Sequence, residues 1–244
     1  MVDAAMMVEA SGAELVDINC GCPAPKVVRK GGGCNLMREP AHLQSLLEAV
    51  RKAVKIPLTI KIRSGWDENT KNAMEIAKIA ESEGVDAIAI HGRSRTQMYR
   101  GEADWSLVSS IAQSLKIPVA GSGDVKDFDG ASKRLSCGVA GLFIGRGAME
   151  NPLVFSDIVN RKKTNLRENP ALAIKILLRY RELLLEDFTP FGSVGKLKQL
   201  ASTMCRGFVW RKDICVAKSL DDIDEVLKKA QEQTKANGPL ELAA

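Results

Sequence analysis

The sequence predicts an α/β chain with a parallel sheet of barrel type and a helical tail, on three observations. Five short β-branched runs recur at residues 15–20, 58–63, 87–92, 117–122 and 140–145, with starts 43, 29, 30 and 23 residues apart, the pitch of βα units. The stretches between them carry apolar residues at helical spacing. Polar residues collect at the carboxyl ends of the runs: Asn19, Lys61, Arg63, His91, Arg93, Ser122, Asp124 and Arg146. Polar positions spread over five successive units suit a barrel mouth, where every strand faces one site, better than an open sheet with a single switch point. The predicted fold is a (β/α)8 TIM barrel, incomplete at five strands, over residues 1–160, followed by an all-helical domain over 161–244.

The helices follow from spacing and stop signals. Residues 40–54 place Leu43, Leu46, Leu47 and Val50 on one face, and Ile56-Pro57 cannot continue the helix. Residues 72–83 do the same with Ala73, Ile76, Ala77 and Ala80, and Gly84 supplies the stop. Past residue 160 the strand signal ends. Three amphipathic helices are predicted, at 171–188, 194–210 and 220–233, and residues 235–244 are expected to fray.

With 244 residues, 45% apolar and 27% charged, the composition excludes a disordered, collagen-like or disulfide-stapled chain. No apolar run approaches the ~20 residues of a membrane helix, and no charged-then-apolar leader opens the chain, so a soluble cytoplasmic protein without membrane partners is expected. Six cysteines at this length point to free thiols. The charge is uneven. Residues 1–160 carry 19 basic and 19 acidic side chains, 161–218 carry 13 against 5, and 219–244 carry 3 against 6. The net +5 therefore arises in one late segment of +8, either a polyanion-binding face, with nucleic acid the commonest partner, or a solvated helix surface.

Residues 19–26, Asn-Cys-Gly-Cys-Pro-Ala-Pro-Lys, follow the first run. A cysteine between Gly and Pro sits on a stiff, exposed backbone, and a thiol of pKa about 8.5 keeps its proton at neutral pH unless a cation is near. Such a residue can be a proton donor, a nucleophile or a loop cysteine without a task. As metal ligands, Cys20, Cys22 and Cys34 lack paired C-x-x-C spacing, and no metal is expected. Thr59, Lys61 and Arg63 alternate onto one side of their strand, and a lysine inside a barrel is costly unless it meets an anion or polar cofactor. His91 ends its run, whereas His42 falls on a helix surface. The turns Gly121-Ser-Gly-Asp-Val125 and Gly141-Leu-Phe-Ile-Gly-Arg-Gly147 end the last two runs, where barrels bind phosphate through backbone N–H groups.

In combination these segments resemble the tRNA-dihydrouridine synthases, most closely the bacterial B-type group. The motifs are residues 17–27, Lys61-Ile-Arg-Ser-Gly-Trp66, His91-Gly-Arg-Ser-Arg95 with Gly101-Glu-Ala-Asp-Trp105, Ser122-Gly-Asp-Val125 and Ile144-Gly-Arg-Gly-Ala148, in that family's order and spacing. The resemblance runs from about residue 5 to 160 and more weakly through the tail. It implies an FMN-containing barrel, NADPH as reductant and a uridine in tRNA as substrate, reduced to 5,6-dihydrouridine. By matching position, it implies that Cys22 protonates uracil C5 while hydride reaches C6, and that Asn19 holds the uracil edge. Lys61 and His91 match flavin contacts. Ser122, Gly123, Asp124, Gly145 and Arg146 match the FMN phosphate loops, and Arg93 and Arg95 match positions suited to RNA. Cys20 stands where the family usually carries another, often apolar, residue. Ser122 stands where Asn is expected, one donor in place of two, which implies looser FMN binding.

The implied chemistry agrees with the residues. Hydride addition at C6 of uracil leaves negative charge that a positioned thiol quenches at C5. A base in folded tRNA must be turned out to reach the barrel mouth, and the +8 segment can hold the RNA backbone without reading sequence. Another flavin barrel acting on a free pyrimidine, such as a dihydroorotate-dehydrogenase-like enzyme, would not need a polycationic segment. The five runs match the family's fourth to eighth strands, with residues 1–13 as the preceding helix. Three further units, about 70 to 80 residues at ~25 to 30 each, are expected to complete the barrel and a monomeric enzyme. The chain alone is expected to be poorly stable or partner-dependent, and a non-catalytic fragment is the remaining alternative.

Overall fold

Alternation of apolar and polar residues builds a five-stranded sheet: β1 (Val16–Asn19), β2 (Leu58–Arg63), β3 (Ala87–His91), β4 (Val119–Ser122) and β5 (Gly141–Phe143). Every neighbouring pair is parallel and the spatial order is the chain order. The computed structural model describes residues 1–237. Helix α1 (Val2–Ala10) precedes β1, and α2 (Pro25–Val28), a 3-10 turn (Gly33–Arg38) and α3 (Pro40–Ala53) connect β1 to β2. Helices α4 (Ala73–Ser82), α5 (Trp105–Ser114) and α6 (Phe128–Leu135) follow β2, β3 and β4. Sequential order with crossovers of one hand places the connecting helices on one face of the sheet.

That face is apolar. Ile18, Leu58, Ile60, Ile62, Ile88 and Ile90 are buried, each such side chain contributing about 1.5–3 kcal/mol. Gly121 lies so close to the Trp105 ring that a Cβ would collide with it, which fixes the spacing between α5 and β4. The opposite face carries Asp17, Asn19, Thr59, Lys61, Ala120 and Ser122, all at least partly exposed, and Phe143 is 50% exposed. The strands therefore have a dry side made by helices and a polar side left open, and the site lies on the open one.

Local signals explain the ends. Pro40 starts α3 at its first turn and Gly84, at φ +77°, terminates α4. Asp104 caps α5 by accepting from Leu107 N, a helix that no single spacing motif in the sequence singled out.

The chain divides into two compact units, Met1–Val125 with Asp129–Gly145, and Lys126–Phe128 with Arg146 onward. The second holds α7 (Arg146–Glu150), α8 (Val154–Val159), α9 (Pro170–Asp187), α10 (Pro190–Met204), α11 (Arg211–Val216) and α12 (Leu220–Asn237). Its core is formed by Ile174, Leu177, Leu197, Met204, Ile223 and Leu227 with their neighbours. The helix expected at 194–210 starts four residues earlier, because Thr189 Oγ1 accepts from Gly192 N and Pro190 fits the first turn. It stops at Met204, before Gly207 at φ +98° and a stacked Phe208–Trp210 pair, 4.9 Å between centroids. The fraying expected at 235–244 is not seen up to Asn237, where α12 is intact, and otherwise lies outside the described residues. Among the described residues no helix is long and apolar enough to cross a membrane.

Candidate active site

Strand register gathers the expected side chains into two rows at the carboxyl ends. One row runs Asn19, Lys61, Ala89, Ala120, Gly141, and the next runs Arg63, His91, Ser122, Phe143. In the first row the small residues after Lys61 leave a flat strip of backbone and methyl groups beside two polar side chains. Lys61 has no ion pair or side-chain hydrogen bond with a described residue. Burial, with the Arg63 charge adding to it, lowers its pKa from the ordinary lysine value. A half-buried ammonium without a carboxylate calls for an anionic or strongly polar ligand.

The cysteine loop is held from both sides. Asn19 Oδ1 accepts from Gly21 N at 3.0 Å and Cys22 N at 2.9 Å, which leaves the Asn19 amide N–H groups for a ligand. Gly33, at φ +58°, packs against Cys22, where a Cβ would collide with Cys22 O and stand 2.9 Å from Cys22 Cβ. Cys34 N donates to Cys22 O at 3.0 Å and Cys34 Sγ to Gly21 O at 3.1 Å. Cys20 and Cys34 are fully buried, and burial pushes their thiols up to about 12 and about 11. Both remain protonated and enclosed. Cys22 alone in this loop is partly exposed.

A buried cationic network lies beside it. Arg63, 3% exposed, donates from Nε to Gly21 O at 3.1 Å and from Nη1 to Ser94 O at 2.9 Å and Met98 O at 3.0 Å. It ties the loop after β1 to the loop after β3. His91, 8% exposed, is pushed down to about 3 by burial first and then by Arg63, Lys61 and Arg93. Arg93 Nη1 stands 3.5 Å from His91 Nε2. A guanidinium only donates, so Nε2 accepts and the neutral ring carries its proton on Nδ1.

Arg93 is 2% exposed and committed within the protein, to Arg100 O, Gly101 O and, at 2.8 Å, Asp124 Oδ2. It holds the loop together and does not face solvent. Asp124, at φ +56°, also accepts from Ala103 N at 2.9 Å. The neighbouring Gly123 packs against His91, and Trp105 Nε1 donates to its carbonyl at 3.1 Å. The segment 101–105 thus buttresses the Ser122-Gly-Asp turn from outside. Gly145 ends the first unit and Arg146 opens the second, both exposed.

Arg95 N donates to Gly65 O at 2.9 Å, and its guanidinium lies 4.7 Å from the Trp66 ring centroid. Arg63 is expected from the sequence only as a polar strand end at the barrel mouth, and Trp66 has no role expected from the sequence. The signal for Arg63 was its alternation onto the Lys61 side; for Trp66 no sequence signal separates a loop aromatic from a site one.

The dihydrouridine synthase (Dus) family model matches residues 1–235. A probable tRNA-dihydrouridine synthase of Rickettsia conorii is 43% identical over 192 residues, 77% of this chain and 58% of that protein. tRNA-dihydrouridine synthase B of Pseudomonas putida is 43% identical over 169 residues, 66% of this chain and 50% of that protein. The chain thus spans about half to three-fifths of the length of these curated relatives. Among solved structures, DHODH from Eimeria tenella aligns with a TM-score of 0.48 and 17% identity, over 65% of this chain and 53% of that one.

Proposed function

The chain belongs to the dihydrouridine synthase family, and from that premise we propose that it reduces uridine in tRNA to 5,6-dihydrouridine. The five sequential strands, with helices on one face only, are part of a (β/α)8 barrel whose interior is the polar face. The residues fit FMN. A planar ring would lie against the small residues Ala120 and Gly141, Lys61 would supply a cation lacking a carboxylate, and neutral His91 would offer Nδ1–H. Ser122, Gly123 and the backbone near Asp124, with Gly145, would hold the phosphate. When bound, FMN reduced by NADPH supplies hydride for uracil C6.

The chain's own residues do the rest. Asn19, fixed by its caps to the Cys22 loop, presents amide N–H groups to the uracil edge. Cys22 delivers its proton to C5, and hydride plus proton balance the reduction. Arg63 and Arg93 position the loops. Arg95 and the basic second unit hold RNA by its phosphates, in the cytoplasm where tRNA is, and the complete enzyme acts as a monomer.

The observation that carries this reading is that Cys22 is the one accessible thiol of a loop clamped by Asn19 and Gly33. With FMN, NADPH and an unmodified tRNA transcript, Cys22→Ala retains FMN but forms no dihydrouridine by mass spectrometry, whereas Cys20→Ala remains active. Full activity in the double variant Cys20→Ala, Cys22→Ala refutes the assignment. A second reading, a partner-dependent or non-catalytic chain, is favoured by the outer edges of β1 and β5, which no described strand pairs. It predicts turnover only when a complementing barrel segment is added, or none.

A further inference from the structure

Two guanidiniums share one indole at the rim of the cysteine loop. Arg38 Cζ lies 4.5 Å and Arg95 Cζ 4.7 Å from the Trp66 ring centroid. The three residues come from three loops: Arg38 ends the 3-10 turn that also carries Cys34, Trp66 follows β2, and Arg95 follows β3. The backbone that carries the indole is itself held. Gly65 bridges Lys71, Trp66 O accepts from Thr96 N at 3.0 Å, and Asp67 Oδ1 closes the loop by accepting from Asn69 N and Thr70 N.

Neither guanidinium has a hydrogen bond or carboxylate partner among the described residues, and Arg95 Nε is buried without one. The nearby carboxylates are committed elsewhere. Asp67 caps its own loop, while Glu68 and Asp104 face Lys71 at 2.8 and 3.8 Å. A cavity of ≈ 380 Å³ opens between Arg38, Trp66, Thr70 and Asn72, and Asn72 Nδ2 is already spent on Met37 O. Stacked, planar guanidiniums with free N–H edges are preorganised for an oxyanion of tetrahedral geometry, because stacking removes the rotamer freedom that binding would otherwise cost.

We propose that Arg38 and Arg95, racked on Trp66, form a phosphodiester-binding site that grips the RNA backbone beside the base presented to Cys22. This rests on the tRNA reading above and adds to it Arg38 and the Trp66 platform that sets Arg38 and Arg95 on one phosphate. The position explains the arrangement. The Cys34 backbone ties the Arg38 turn to Cys22 O, so a phosphate held here registers the strand against the reacting loop.

The test is the salt dependence of binding of the full chain to an unmodified tRNA transcript. Each lost phosphate contact lowers the slope of log K against log[salt] by about 0.7 to 0.9. Arg38→Ala is expected to lower the slope by that amount, and Trp66→Leu, which removes no charge, to weaken binding at every salt concentration. Lys116→Ala, at the amino end of β4, removes a charge far from the rim and leaves the slope unchanged. Should Trp66→Leu unfold, Arg38→Lys replaces it, keeping the charge and losing the planar fork. A wild-type chain that binds tRNA with a slope and affinity equal to those of Arg38→Ala and Arg38→Lys overturns the site alone. A wild-type chain that does not bind tRNA overturns both the site and the reading beneath it.

Discussion

Arg93 Nη2 and Asp124 Oδ2 meet at 2.8 Å, with the guanidinium 2% exposed and the carboxylate held at φ +56°. The pair locks the end of β3 to the turn after β4. It also explains why a charged residue tolerates a left-handed backbone there, since the hydrogen bonds to Arg93 and Ala103 offset the strain. Asp124→Ala leaves a buried guanidinium without its carboxylate and is expected to cost about 3 kcal/mol. Asp124→Asn keeps an acceptor and a residue that accepts positive φ, and should cost less than half of that. Urea denaturation midpoints of the two variants check the order.

Gly33 and Gly31 share a loop and both have positive φ, +58° and +83°, but only Gly33 packs on Cys22. Gly31→Ala therefore costs backbone strain alone, about 1 kcal/mol. Gly33→Ala adds the collision with Cys22 O and should cost at least about 2 kcal/mol, with a changed alkylation rate at Cys22. Iodoacetamide kinetics together with thermal unfolding separate the two effects.

Lys61 is an expensive residue for the bare fold, its pKa lowered mainly by burial. Lys61→Met should leave stability unchanged or raised, because an unpaired half-buried charge is removed. The same change should weaken FMN binding about 10- to 100-fold, the worth of one hydrogen bond to a charged group. Fluorescence titration with FMN alongside chemical denaturation measures both signs.

His91 titrates at about 3 in the folded chain against 6.5 in a model peptide. As pH falls below 6.5 the unfolded chain takes up a proton that the folded chain refuses until about 3. Stability is therefore undiminished above 6.5 and declines through that window by up to about 1.4 kcal/mol per pH unit. His91→Asn should flatten that slope in urea titrations between pH 4 and 6.

The sheet was legible in the sequence because period-two alternation and the βα pitch are local signals. All five runs form strands, at 58–63 with the same ends, and the chain order is the spatial order. Helices α3, α4, α9 and α12 were legible for the same reason, having clean apolar faces and Pro, Gly or Asn at their ends. Helix α5 escaped notice because Trp105, Val108 and Ile111 meet the sheet from a segment of mixed composition. The ends of α10 were misplaced because Pro190, Gly207 and the Phe208–Trp210 stack act through geometry that spacing does not record.

The chemistry divides in the same way. By itself the sequence determined which side chains end the strands, since register follows from alternation, and its motifs singled out the Asn19-to-Cys22 turn and its family. Tertiary structure decided which of them a ligand can reach. Burial separates Cys22 from Cys20 and Cys34, and turns Arg93 inward, where it braces Asp124. It also makes His91 neutral, and places Arg38 and Arg95 on one indole although 57 residues separate them. Exposure and charge state depend on what packs against a group from distant parts of the chain, and no local pattern encodes that sum.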